Sequence, residues 1–295
     1  MEGKVLVTGA SGLIGRELCK QLKDKFYVVA IDSGFRSETV PECNEFINED
    51  VTYFTSYASN KYDYIFHMGN INGTKHFYDI PNQLLKNNIS ADFAVFKFSE
   101  SNPSCKLIYA SSSEVVAGTD VYPTSELINI TINNIHNPRW SYRLGKLVGE
   151  NYLTNSNINY LIVRFFNVYS EYSSSGHFVA DIVEKLKQGN YELIGADETR
   201  SFCYVADAVD ALINILYVSN EIINIGSEEE IKVLDAANII ADVLGMNDIP
   251  WNIKDGLSGS VKRRRPDLTS LRLYYPAFNP DSFRSVIERI SHELK

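Results

Sequence analysis

The sequence predicts an α/β protein built on a doubly wound parallel sheet, with a smaller lobe formed by its C-terminal part. Three observations predict it. Short, nearly continuous apolar runs recur through the first half, helical patterns alternate with them, and past about residue 170 that alternation loosens. Strands that are apolar on both sides need cover on both faces, as in a parallel sheet held between two layers of helices.

KVLVT (4–8) reads as the first strand, and the helix after it (12–24) carries Ile14, Leu18 and Leu22 at four-residue intervals, which form one apolar stripe. FYVVAID (26–32), YDYIFHM (62–68), KLIYA (106–110) and NYLIVRF (159–165) supply further strands, with helices near 82–101 and 138–155. The looser part holds a helix near 177–189, a short strand at 191–194, helices near 206–218 and 232–245, and a C-terminal helix near 281–294. Residues 1–168 therefore form the sheet domain and 169–295 mainly the lobe, with the chain free to cross back between them.

With 295 residues and 44% hydrophobic content, the chain buries a sizeable core. Its formal charge of -9 argues against nucleic-acid binding, because phosphate backbones are gripped by clustered Lys and Arg; the run Lys262 to Arg265 is the exception. No apolar stretch has the length of a membrane span, and the N-terminus enters a strand without a signal-peptide pattern, so a cytoplasmic protein with no membrane partner is expected. Cys19, Cys43, Cys105 and Cys203 lack paired spacing, which points away from disulfides and from a metal site.

The first strand runs straight into Thr8-Gly-Ala-Ser-Gly-Leu-Ile-Gly15 and then a helix. Gly9, Gly12 and Gly15 permit a tight turn and let the backbone approach a pyrophosphate, while Ser11, Leu13 and Ile14 line the same loop at the helix N-terminus. The second strand ends in Asp32, placed to accept from the adenosine ribose hydroxyls and to repel a 2'-phosphate, which favours NAD over NADP; Arg36 pulls the other way. Tyr142 and Lys146 lie four apart on one helical face, where an ammonium beside a phenol favours the phenolate and makes tyrosine a usable base. YASSSEVVAG (109–118) places three serines and a glutamate after a strand, a pattern that serves equally as a polar turn.

Taken together, TGASGLIG, IFHMG, YRLGK, LIVRFFNVY, TRSFCYVADAV, NIGSEEE and RRRPD resemble, in order, the motifs of the extended short-chain dehydrogenase/reductase superfamily, in its branch of NAD-dependent nucleotide-sugar epimerases and dehydratases. The resemblance implies a Rossmann domain with a substrate lobe, NAD as cofactor, a nucleoside-diphosphate sugar as substrate and a homodimer formed through two helices per subunit. Asp50 and Val51 would then meet the adenine, Met68 and Gly69 would border the cofactor, and Asn88 would stand near the nicotinamide. Ser112, with Ser113 beside it, would bond the sugar oxygen; Tyr142 would take the C4 hydroxyl proton, and Lys146 would hold the nicotinamide ribose. Asn167, Arg200 and Arg264 match residues that contact the diphosphate, and His177, Tyr78, Trp140 and Tyr172 either shape the sugar pocket or serve packing.

Ser112-Ser113-Glu114 is similar to the triplets of sugar 4,6-dehydratases and UDP-glucuronate decarboxylases, which implies that Glu114 is either a base at C5 or a turn carboxylate. Pro138-Arg139 and the RxPD arginine are likewise similar to the decarboxylases, where an arginine would meet a C6 carboxylate. Oxidation, epimerisation, dehydration and decarboxylation all stay open at this point, because Val116-Ala117, Ser170-Glu171 and the shortened loop 195–200 depart from the family pattern around the sugar. A reductase of an alcohol without phosphate and a non-catalytic NAD sensor are the other readings.

Overall fold

The computed structural model describes residues 3–35, 39–53, 61–132, 134–173 and 176–294; Arg36 lies outside them. The first half of the chain lays down β1 (Lys4–Thr8), α1 (Leu13–Leu22), β2 (Tyr27–Asp32), β3 (Glu45–Asn48), β4 (Tyr64–His67), α2 (Thr74–Asp79), α3 (Pro81–Glu100), β5 (Lys106–Ser112), α4 (Trp140–Thr154) and β6 (Tyr160–Phe165). The second half adds β7 (Val168–Tyr169), α5 (Phe178–Lys187), β8 (Glu192–Ile194), β9 (Thr199–Ser201), β10 (Cys203–Tyr204), α6 (Val205–Asn214), β11 (Glu221–Ile225), β12 (Glu230–Lys232), α7 (Val233–Val243), β13 (Asn252–Lys254), α8 (Thr269–Tyr274), α9 (Phe283–Arg289) and α10 (Ser291–Leu294).

Seven strands form one sheet in the order β3-β2-β1-β4-β5-β6-β11, and every pairing in it is parallel. Side chains alternate across it as a pleat requires. Val5 and Val7 of β1 enter a core shared with Leu18 and Leu22 of α1, Leu212 of α6 and Leu271 of α8, whereas Leu6 enters the opposite core with Val95 and Phe96 of α3 and Leu153 of α4. The strand order reverses between β1 and β4, so the crevice above their carboxyl ends is where such a sheet binds a ligand. A third core, with Ile182, Leu186, Leu193, Ile240 and Ile287, belongs to the lobe.

The short elements α2, β7, β9, β10, β12, β13 and α8 were not expected from the sequence, and four further differences bear on the architecture. β5 runs two residues beyond Ala110, so Ser111 and Ser112 belong to the strand rather than to the turn after it. β3 was not expected, because it is a short edge strand whose Glu45 and Asn48 are exposed and break the apolar run. β11 was not expected either: the chain leaves the lobe after β10, packs α6 against α1, and adds EIINI beside β6. The C-terminal helix is broken at Ile290 into α9 and α10.

Candidate active site

A cavity of about 500 Å³ opens at the switch point and extends into the lobe. Every residue that the sequence singled out for cofactor, catalysis or substrate lines it: Gly9, Ser11, Gly12, Leu13, Ile14, Gly15, Asp32, Asp50, Val51, Met68, Gly69, Asn88, Ser112, Ser113, Glu114, Tyr142, Lys146, Asn167, His177, Arg200 and Arg264. Tyr78, Trp140 and Tyr172 do not line it. Tyr78 Oη donates to Ser258 O at 2.6 Å, Trp140 lies under the Arg143 guanidinium at 4.2 Å, and Tyr172 under that of Arg16 at 4.0 Å.

In the cofactor half, Gly9 has φ +65° and its carbonyl accepts from Gly12 N at 3.0 Å, which closes the turn. Asp32 accepts from Ser11 N at 3.0 Å and from Gly34 N at 2.9 Å; burial raises its pKa and these backbone bonds oppose the rise. Ser11 Oγ is buried without a hydrogen-bond partner among the described residues, a polar atom set in the glycine loop that lines the cavity. A Cβ on Gly15 would lie 2.2 Å from Gly9 O and 2.7 Å from Ala10 Cα. Gly15→Ala must therefore push α1 off the loop. Its affinity for NADH, measured by fluorescence titration, is expected to fall by about tenfold or more, roughly 1.4 kcal/mol.

Two residues on this side are committed to the fold. Asn88 accepts from Ile71 N at 2.7 Å and donates to Ile71 O at 2.9 Å, so its amide shapes the 69–73 loop. Asp50 Oδ1 accepts from Thr52 N at 2.8 Å and Thr52 Oγ1 at 2.7 Å, capping a turn at the cavity rim.

At the centre, α4 presents Tyr142 and Lys146. Tyr142 is buried, and its ring stacks on Phe77 with centroids 4.8 Å apart at 21°. Lys146 Nζ donates to Asn70 Oδ1 and Ala110 O, and lies 4.6 Å from the Tyr109 ring centroid and 6.0 Å from that of Tyr142. Burial brings the pKa of Lys146 down to about 8, against the opposing carboxylates of Asp92 and Glu150. Ser112, at the end of β5, accepts from Glu114 N at 3.2 Å through Oγ and keeps its hydroxyl proton to give. Ser113 is buried, with its N–H bonded to Phe165 O at 3.0 Å.

Glu114 is neither a free carboxylate nor a turn cap. Arg139 grips it with two bonds, Nε to Oε2 at 2.9 Å and Nη2 to Oε1 at 2.5 Å, and Arg264 Nη2 stands 2.7 Å from Oε1. Burial alone would raise the pKa of Glu114, but Arg139 and Arg264 outweigh it and hold the carboxyl well below the usual range. Arg143, also buried, adds a third positive charge. The Nε of Arg264 is buried and has no hydrogen-bond partner among the described residues.

Arg200, expected to contact substrate, lines the cavity and is also anchored within the protein: Nη1 donates to Thr199 O at 2.8 Å and Val261 O at 2.9 Å, and Nη2 donates to Glu198 and to Ser260 Oγ at 3.0 Å. Burial lowers its pKa to about 10. Asn167 has φ +41° and donates to Ser201 O at 2.9 Å, and His177 is the residue that precedes α5.

The sequence reading missed Asn70, Asp92 and Phe77. The one available signal was that Asn88 and Asp92 fall, four apart, on the buried stripe of α3 with Leu84, Val95 and Phe96.

A parallel sheet with a glycine-lined crevice at its switch point, an acidic residue closing the second strand and a Tyr–Lys pair across the cavity define a dinucleotide-dependent enzyme. The chain belongs to the NAD dependent epimerase/dehydratase family, whose model matches residues 5–226. Its cofactor is NAD, and the family's substrates are nucleotide sugars.

The chain is 28% identical to a UDP-N-acetyl-alpha-D-glucosaminuronate decarboxylase of Bacillus cytotoxicus, over 92% of this chain and 91% of that one. It is 25% identical to UDP-glucuronic acid decarboxylase 1 of Danio rerio, over 92% of this chain and 67% of the relative. Among solved structures it is similar to a UDP-galactose 4-epimerase, with TM-score 0.83 and 25% identity, covering 99% of this chain and 100% of the other.

Proposed function

We propose that the chain acts on a nucleoside-diphosphate sugar bearing a C6 carboxylate: it oxidises the C4 hydroxyl and releases the C6 carboxylate as carbon dioxide. The observation that carries this reading is the arginine cluster at the catalytic end of the cavity. Arg139, Arg143, Arg200 and Arg264 are set against Glu114 and Glu198, which leaves two surplus positive charges, with Arg139, Arg143 and Arg264 themselves buried. Arg139 and Tyr142 share Phe77, with the guanidinium 5.5 Å from its ring and Tyr142 stacked on it, so the surplus lies beside the reacting sugar as well as near the diphosphate. Charge-assisted guanidinium contacts suit both carboxylate and phosphate.

On this reading Tyr142, as phenolate, takes the C4 hydroxyl proton, Lys146 stabilises that phenolate, and Ser112 donates to the C4 oxygen. NAD, which the glycine loop and Asp32 would hold, would supply the hydride chemistry at C4. The C4 ketone makes the C6 carboxylate a β-keto acid; its C5–C6 bond breaks with the electron pair passing toward the C4 oxygen, where the Ser112 hydroxyl meets the developing charge. Glu114 holds Arg139 and Arg264 in place for the substrate anion, and C5 regains a proton.

Mass spectrometry of products checks this. UDP-glucuronate and UDP-N-acetylglucosaminuronate are expected to lose carbon dioxide, while UDP-glucose keeps its mass. Turnover of UDP-glucose to an isomer, with the uronates untouched, would replace this reading by C4 epimerisation, the activity named for the UDP-galactose 4-epimerase structure that the fold resembles.

A further inference from the structure

Behind Lys146 runs a buried polar chain that the proposed chemistry does not use. Asp92, in the middle of α3, is 1% exposed, and its carboxylate accepts three hydrogen bonds: from Tyr109 Oη at 2.7 Å, from His67 Nε2 at 2.9 Å and from Asn70 Nδ2 at 2.9 Å. With its nitrogen turned to Asp92, the Asn70 amide presents its oxygen to the Lys146 ammonium. On the other side His67 Nδ1 is 2.7 Å from Thr8 Oγ1, which accepts from Gly69 N at 3.2 Å.

The donors run one way. Gly69 N–H points to Thr8, the Thr8 hydroxyl to His67 Nδ1, and His67 Nε2–H to Asp92; that order satisfies every atom only with the proton of His67 on Nε2. Gly149 makes room for the third donor, since a Cβ there would lie 2.3 Å from Tyr109 Oη.

Two carboxylates face Lys146, Asp92 from α3 and Glu150 from its own helix; Tyr109 and Ala110 face it from β5, Asn70 from the loop after β4, and Tyr142 from α4. Glu150 is already neutralised by Arg164, at 2.9 and 2.7 Å, and takes the Ser111 hydroxyl as well. Asp92 accepts from Tyr109, His67 and Asn70 and pairs with no arginine among the described residues, so its charge is the one directed at the lysine. Burial pushes the pKa of Asp92 up, yet His67, Lys146 and Asn70 together hold it below its ordinary value.

We propose that Asp92 is a positioning residue for Lys146: it fixes the Asn70 amide in the one orientation that accepts from the ammonium, supplies the buried negative charge that keeps the lysine protonated, and ties both to the phosphate-binding loop through His67 and Thr8. This rests on the reading of Lys146 as the partner of Tyr142. A leucine would fill the same place in α3 without the cost of burying a charge, but it would leave His67, Asn70 and Tyr109 with nothing to donate to.

The experiment is an NMR titration of the NAD-bound protein with labelled lysine side chains, in which Lys146 is assigned by its absence from Lys146→Met. The Lys146 midpoint is expected to fall by about one pH unit in Asp92→Asn, since loss of a nearby opposite charge disfavours the ammonium. It should fall by less in Asn70→Ala, where Asp92 keeps Tyr109 and His67. The alkaline limb of sugar oxidation should move the same way while KM for the sugar changes by less than about twofold. An unmoved midpoint in both variants overturns the proposal, and if Asp92→Asn does not fold, Asn70→Ala decides alone. The midpoint is read without sugar. Failure to oxidise any nucleotide sugar therefore defeats the functional reading, whereas an unmoved midpoint in an active enzyme defeats only this one.

Discussion

Tyr142→Phe is expected to lower turnover by about 10²- to 10⁴-fold while leaving NAD bound, because it removes the proton acceptor and keeps the ring. Phenylalanine retains the ring that stacks on Phe77 at 4.8 Å, so the wall of the cavity keeps its shape. Lys146 likewise keeps its bonds to Asn70 and Ala110, neither of which involves the phenol. The loss should therefore fall on kcat, with KM for the nucleotide sugar almost unchanged, the pattern of an interaction made at the reacting atoms. Single-turnover formation of NADH on the bound cofactor measures it. Oxidation within about tenfold of the wild-type rate would remove Tyr142 from the chemistry.

Glu114→Ala is the variant expected to damage stability most. It leaves Arg139 and Arg264 buried with no carboxylate between them, and removing one partner of a buried ion pair costs about 3–5 kcal/mol. In a chain of this size such a loss lowers Tm by roughly 10 °C, readable by calorimetry. Glu114→Gln keeps an acceptor of the same shape and should lose about half as much. The pH dependence has a defined sign. Because the folded pKa is depressed, the stabilisation is fully present above the unfolded glutamate value of about 4.3 and is lost only as pH falls through the folded one. Function separates the two readings of this residue. An anchor makes Glu114→Gln raise KM for a uronate; a base at C5 would make the same variant reduce NAD and then stall.

The contrast between Tyr142 and Glu114 shows what the sequence could carry. β1, the glycine loop, α1 and the Tyr–Lys helix were legible because their information is local: a continuous apolar run, an apolar stripe at four-residue intervals, a turn that demands glycine, a spacing that puts two side chains on one face. The partners of Glu114 come from the start of α4 and from the segment after β13, and nothing local announces that both converge on one carboxylate. The anchoring of Arg200 was hidden for a related reason, since Val261 O and Ser260, which bond it, arrive from a distant loop. β11 was lost because EIINI carries a glutamate and an asparagine; the asparagine is buried, and its Nδ2 donates to Thr124 O and Asp267 O, which lie far from it in the chain.

The path of the chain through β7, α6, β11 and α7 has a consequence for engineering. It leaves the sheet, returns to cover β6 with β11, and leaves again, so lobe and sheet are interleaved rather than joined in tandem. A chain truncated after Asn167 would lose the strand that pairs with β6 and the helix that covers α1, leaving open the edge of a strand that is otherwise buried throughout, which invites association with other chains. Grafting a new sugar specificity from a relative would accordingly mean exchanging separate insertions around a retained α6–β11 unit, because no single crossover point in this chain divides one layer from the other.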